Sequence, residues 1–195
     1  MIARIWRTDR WEEVPWGAMK APDIWAVDLS PDDRHLALGY SSGAVRLWSC
    51  PVGLPEAAFT NHGGAVYAVR FSPDGRRLAS TVTADNQVKV WDVFARQDWT
   101  TLGRHPGSVF DATFSPDGRR LATGGHTPQD AVKLWDLATQ RELLTLPAQG
   151  YFFFHVAFSP DGNTLMATGL AGVAHLWRAP TWAEIEAAEN GAVTP

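Results

Sequence analysis

The chain has one cysteine, Cys50, in 195 residues. That excludes an internal disulfide and a thiolate zinc site. It has no basic excess: 17 Lys and Arg stand against 21 Asp and Glu, giving a net charge of −4 and a pI near 5.8. A general nucleic-acid binder usually carries a basic field, so that class is not expected. No apolar run approaches the ~20 residues of a membrane span. The opening MIARIWRTDR lacks the apolar core of a signal peptide. There is no P-loop, no kinase glycine-rich loop and no HRD or DFG set. The six histidines, His35, His62, His105, His126, His155 and His175, show no close ligand spacing. What remains is an ordinary globular composition, 45% hydrophobic and 19% charged. It carries the expectation of a soluble, cytoplasmic chain with no metal or other cofactor.

Tryptophan is abundant instead, with ten residues. Five of them end similar runs: RIWR, VRLWS, VKVWD, VKLWD and AHLWR hold Trp6, Trp48, Trp91, Trp135 and Trp177, spaced by 42, 43, 44 and 42 residues. A second marker keeps the same beat. Ser30-Pro31, Ser72-Pro73, Ser115-Pro116 and Ser159-Pro160 each precede a tryptophan by 18 to 20 residues. Two independent markers in step at this period indicate a repeat array of propeller-blade length. Between the markers, short runs alternate apolar and polar residues, as strands do. In the corner SPDG, proline presets φ, aspartate suits the third position and glycine permits the positive φ that starts the return strand.

These runs resemble WD repeats, the tryptophan–aspartate repeats of β-propellers, over roughly residues 1–178. The resemblance implies an all-β fold of four-stranded antiparallel blades. Full repeats are expected at about 24–60, 65–102, 108–146 and 151–178, with residues 1–20 as the third and fourth strands of a preceding blade. The last repeat lacks a fourth strand. Thr181-Trp182-Ala183-Glu184 has the form of a capping box, predicting a short covering helix over 181–189 and a frayed tail over 190–195. In the family, the last blade ends on its third strand and the N-terminus supplies the outer one. Four blades and a half-blade therefore read as part of a larger propeller, with covalent upstream blades, or as one partner of an oligomeric ring. A closed four-bladed ring is the alternative.

Family blades often carry a buried tetrad of His, Ser or Thr, Asp and Trp. The second repeat matches with His62, Ser80, Asp85 and Trp91, and the third with His105, Thr123, Asp130 and Trp135. The first and fourth depart from it, with Ser42 and Ala171 at the aspartate position and Gln149 near the histidine position. A His–Asp–Ser set invites a catalytic-triad reading. Duplication in two blades and a serine buried on a strand favour a structural role.

Five residues before each corner serine stands an aromatic: Trp25, Tyr67, Phe110 and Phe154. At the start of the innermost strand they would ring the mouth of the central channel. In the family that rim commonly binds peptides or proteins, and aromatics make good anchors. The competing reading is that they wedge the blades together. Two residues before the serine, Asp28 and Arg70 are placed to pair inside the channel. At the opposite rim, Arg34, Arg76, Arg77, Arg119 and Arg120 follow the corners, either as an anion-facing cluster or as solvated decoration.

The function expected is a non-enzymatic scaffold that binds a protein or peptide, with no nucleic-acid or membrane partner. SPDGRRLA with VKLWD, and the ending LWRAPTWAEIEAAE, resemble bacterial WD-repeat proteins in which propellers follow serine/threonine kinases, implying a regulatory or recruiting module. The alternatives are a purely structural segment completing a ring with a second copy or upstream blades, and an enzyme working in the channel.

Overall fold

A computed structural model of the chain describes residues 6–7, 9–13, 23–50, 53–60 and 62–179. The four serine corners turn identically. Ser30, Ser72, Ser115 and Ser159 each donate a hydroxyl hydrogen bond to Asp32, Asp74, Asp117 or Asp161, at 2.5–2.6 Å. The same hydroxyls accept the N–H of His35, Arg77, Arg120 and Thr164 at 2.8–2.9 Å. Each aspartate accepts one further backbone N–H, from Arg34, Arg76, Arg119 or Asn163. The corner's side chains thus take the backbone donors that a turn leaves open. Gly75, Gly118 and Gly162 hold φ near +70°, and Asp33 takes that place in the first repeat at φ +59°.

These corners launch four sheets. The first holds β3 (Ile24–Leu29), β4 (His35–Tyr40), β5 (Val45–Ser49) and β6 (Pro55–Phe59). The second holds β7 (Val66–Phe71), β8 (Arg77–Val82), β9 (Gln87–Asp92) and β10 (Gln97–Arg104). The third holds β11 (Asp111–Phe114), β12 (Arg120–Gly124), β13 (Val132–Asp136) and β14 (Arg141–Leu146). The fourth has three strands among the described residues: β15 (His155–Phe158), β16 (Thr164–Thr168) and β17 (Ala174–Arg178). All pairings are antiparallel meanders, and the register repeats: Trp48, Trp91, Trp135 and Trp177 lie opposite Leu36, Leu78, Leu121 and Leu165. A separate hairpin pairs β1 (Trp6–Arg7) with β2 (Glu12–Glu13). The helix expected at 181–189 and the tail at 190–195 lie outside the described residues, as does most of the segment 1–20.

The inner strands β3, β7, β11 and β15 are neighbours in that order. The core lies between sheets. One cluster joins Val45, Leu47 and Phe59 of the first sheet to Val69, Phe71, Leu78 and Trp91 of the second. A second joins Val88, Val90 and Leu102 to Ala112, Phe114 and Trp135. A third joins Val132 and Ala122 to Phe153, Val156 and Leu165. The sheets therefore radiate as blades, each burying its face against the next. This explains why Leu78–Val82 is buried without alternation: both faces are covered.

Close approach at these seams needs glycine. A Cβ on Gly124 would strike the carbonyl oxygen of Phe153 in the next blade, whereas one on Gly118 would meet only Pro73 at 3.8 Å. Gly118→Ala is expected to cost about 1 kcal/mol, from its positive φ alone. Gly124→Ala is expected to cost about 3 kcal/mol, because backbone must shift. Urea unfolding checks this, and equal losses would show that the seam is not tight there.

Candidate functional site

The inner strands bring the four aromatics into one row. Trp25 and Tyr67 meet edge-on with centroids 4.9 Å apart, Tyr67 and Phe110 at 5.4 Å, and Phe110 and Phe154 at 5.0 Å. Each contact crosses from one blade to the next. The geometry is the edge-to-face arrangement that ring quadrupoles favour. The row divides in character: Phe110 is 8% exposed, whereas Trp25 and Phe154 are 53% and 46% exposed. Packing therefore claims the interior of the row and leaves its ends in solvent. Phe110 and Phe154 sit just before β11 and β15, not within them as the sequence pattern suggested.

Two further rings join the row. Phe152 lies 5.5 Å from Phe110 and 5.9 Å from Phe154, and the His126 ring lies 4.2 Å from Phe152. Phe152 holds a left-handed φ of +56°, unusual for a bulky residue. Its N–H donates to the His126 carbonyl, and the next residue, Phe153, is fully buried in the seam. The run Tyr151–Phe154 was the available signal, because one strand face cannot absorb four consecutive aromatics.

Beneath the row runs a polar belt, and here one expectation fails. Arg70 does not pair with Asp28; its guanidinium bonds Asp111 of the third blade at 2.8 Å. The Asp28 carboxylate instead accepts the Phe71 N–H at 2.7 Å. Asp111 likewise accepts the Val156 N–H at 3.0 Å and faces His155 at 3.3 Å. Both aspartates stitch one inner strand to the next. Burial raises the Asp28 pKa despite the Phe71 hydrogen bond and the nearby Arg70 charge.

Both tetrads form. Trp91 Nε1 donates to Ser80 Oγ at 2.7 Å, and Ser80 lies 2.6 Å from His62 Nε2. His62 Nδ1 faces Asp85 at 3.5 Å. In the third blade Trp135 donates to Thr123 at 2.8 Å, and His105 meets Thr123 and Asp130 at 2.7 Å each. A neutral imidazole satisfies every donor: Nδ1–H gives to the aspartate, and Nε2 accepts the hydroxyl hydrogen. Burial lowers the His62 pKa from its usual 6.5 to about 4, overriding the pull of Asp85. Both hydroxyls are fully buried and committed to an indole, so neither can attack a substrate. In the first and fourth blades Leu38 and Ala167 occupy the hydroxyl position, a second departure alongside Ser42, Ala171 and Gln149.

The chain's family follows from comparison with known proteins. The profile of the WD domain, G-beta repeat family matches residues 17–49, 53–92 and 97–136, more than half of the sequence. The chain belongs to the WD-repeat family. Among similar proteins, Protein HIR1 of Kluyveromyces lactis is 32% identical, over 38% of this chain and 10% of that protein. Transcription initiation factor TFIID subunit 5 of Caenorhabditis elegans is 31% identical, over 47% and 14% respectively. Jouberin of Rattus norvegicus is 34% identical, over 42% and 8%. The WD-repeat chain thus spans a small part of these relatives' length. A propeller chain in the crystal structure of the mitotic checkpoint complex superposes with a TM-score of 0.73 at 23% identity, over 81% of this chain and 51% of that one.

On the opposite face of these WD repeats the arginines are interleaved with acid. The Arg77 guanidinium lies 4.1 Å from the Trp99 ring centroid. Arg34, Arg76, Arg119 and Arg120 are exposed. A hollow of about 680 Å³ between the second and third corners is lined by Arg77 and Arg119, but also by Asp74, Asp117 and Asp136. Hydrogen bonds from Ser115 and the Arg119 N–H hold Asp117 below the usual carboxylate pKa. Among the described residues no group of three His, Cys, Asp or Glu is placed to hold a metal ion, and no helix is long and apolar enough to cross a membrane.

The His62 tetrad makes stability depend on pH. Above pH 6.5 His62 is neutral in both folded and unfolded chains. Between 6.5 and about 4 the unfolded chain binds the proton first, so stability falls as pH falls, by about 3 kcal/mol in all. Urea midpoints measured from pH 7 to pH 4 are expected to show this slope, and His62→Gln is expected to flatten it. Ser80→Ala is expected to cost about 2 kcal/mol at pH 7, by stranding the Trp91 N–H.

Proposed function

We propose that this chain is a non-enzymatic, cytoplasmic scaffold whose aromatic rim takes an apolar segment of a protein partner. The observation that carries the reading is the continuous row of rings with exposed ends at Trp25 and Phe154. Exposed aromatics backed by packed neighbours lose little conformational freedom on binding, which is the property of hot-spot residues. Interior members hold the row in place, and the strained Phe152 adds a ring beside it. The family itself is one of protein-interaction scaffolds, and its named relatives here include a TFIID subunit. A recruiting role within a signalling protein is the finer form of this proposal, by fold-level analogy. The acidic net charge favours a protein partner over nucleic acid. The mixed charge around the corner arginines makes that face a weaker candidate for an acidic ligand. Against an enzyme in the channel stand the buried hydroxyls of both tetrads and the mutual pairing of Arg70 and Asp111.

The test is a peptide display selection on the folded chain, counter-selected on a Trp25→Ala/Phe154→Ala variant. Peptides from the wild type are expected to bind the variant at least tenfold more weakly, with the melting temperature unchanged. Phe110→Ala is expected to lower stability by about 3 kcal/mol, as a packing residue does. Peptides that bind wild type and the double variant equally would move the site away from the rim.

A further inference from the structure

One seam of the rim differs from the others, and both of its walls belong to this chain. Phe152 stands two residues before the row aromatic of the fourth blade, where Asp23, Ala65 and Ser108 stand in the other three. By strand register, His126 matches Ser41, Thr83 and Leu170, just past the second strand of each blade. The first two seams therefore set Ser41 with Ala65, and Thr83 with Ser108. In the latter pair the Ser108 hydroxyl donates to the Thr83 carbonyl at 3.2 Å. The seam of the third and fourth blades sets two rings there instead, with centroids 4.2 Å apart. Closing the seam does not require them. Phe153 already fills it, at 0% exposed, as Val66 and Val109 do in their blades. Nor do Asp23, Ala65 and Ser108 share the positive φ of Phe152. A bulky residue held left-handed where its counterparts are relaxed is strain that the fold does not need, and such strain gathers at binding sites. Backbone bonds from both blades hold it. The Phe152 and Phe153 N–H groups donate to the His126 and Gly125 carbonyls at 3.0 Å, and the Leu170 N–H donates to the Tyr151 carbonyl at 3.1 Å.

We propose that this step sets the specificity of the rim, and that it takes a protein segment in which an apolar side chain lies close to an aspartate or glutamate. The proposal rests on the rim reading and names its ligand. Phe152, Phe110 and Phe154, with centroids 5.0–5.9 Å apart, give the apolar side chain its seat. His126 gives the acid its partner. Its ring is half-buried against Phe152 and Phe110, and its nitrogens make no hydrogen bond among the described residues. An imidazole presents at least one N–H, and a carboxylate accepts such a bond more strongly than a neutral group does. The surrounding charge agrees. Of the acids of the third and fourth blades, Asp117, Asp136 and Asp161 lie on the opposite face, with the corners. Asp111 is bonded to Arg70, Asp130 to His105 and Glu142 to Lys133. Among the described residues these blades leave no uncommitted carboxylate at the step to repel an acid. His155, next to Phe154, has its side chain 57% exposed.

The probe is an array of Gly-Ser peptides, each carrying a Leu, Phe or Trp with a Glu, Gln or Lys one to three residues away. Wild type is expected to bind the Glu peptides about tenfold more tightly than their Gln partners, and the Lys peptides least. His126→Phe keeps a ring and is expected to erase that ranking. Phe152→Gly removes the ring at a φ that glycine takes without strain. It is expected to weaken every peptide about tenfold with little change in melting temperature. The same preference for Glu on wild type and His126→Phe would overturn the proposal, as would a wild type that retains no peptide or prefers Lys. A fall in melting temperature for Phe152→Gly as large as that of Phe110→Ala would also overturn it, by making Phe152 a packing residue. Peptides lost by Trp25→Ala/Phe154→Ala but held equally by His126→Phe and Phe152→Gly would end this proposal and leave the rim reading standing.

Discussion

The structure depends on burial between blades. A single antiparallel sheet of this kind has two faces, and among the described residues no α-helix covers either. The three interior seams hold clusters of 12, 10 and 7 buried apolar residues, and a fully buried valine, leucine or phenylalanine contributes about 1.5–3 kcal/mol. A hydrogen bond of a tetrad contributes about 1 kcal/mol net. The seams decide whether the array folds, and the tetrads decide how precisely a blade is held. That ordering matches where the tetrads occur: the second and third blades have them, and both are flanked by described blades on each side. The first and fourth replace the hydroxyl with Leu38 and Ala167 and still form the same strand register.

The charged groups within this apolar stack are tolerated because they are paired, although the buried Thr81 hydroxyl has no hydrogen-bond partner. Lys133 is nearly buried, yet it bonds Glu142 at 2.7 Å and Thr145 at 3.0 Å and faces Asp130 at 3.4 Å. Asp111 is 2% exposed and bonds Arg70 on one side and the Val156 N–H on the other. Removing one partner of such a set would leave a buried charge, which costs more than the pair contributes. The belt of Asp28, Arg70 and Asp111 therefore fixes how far one inner strand is staggered against the next. That stagger sets the spacing of the rings above it.

The blades were legible in the sequence because their determinants are local. A tryptophan, a serine corner and alternation between them lie within one repeat, and each acts through bonds along or across a single sheet. The tetrads were legible for the same reason. What escaped depends on the angle between blades. Arg70 was matched with Asp28 because both stand two residues before a corner serine, but its partner Asp111 stands four before. Nothing along the chain encodes that diagonal. Phe152 and His126 were missed because a lengthened turn in one blade and a left-handed residue in another bring them together. The corner serine's double role was present in the letters, and proline and glycine obscured it.

Trp25 is the exposed end of the aromatic row, and it shares one side of β3 with the exposed Val27 and Leu29. A ligand seated on the rim can therefore wrap over the end of β3 and use Trp25 from two sides. Phe110, 8% exposed among its neighbours, offers a ligand little surface and instead holds the row in line. Rigidity at the middle of the row and exposure at its ends are thus two results of the same packing, because rings fixed by their neighbours lose little freedom on binding.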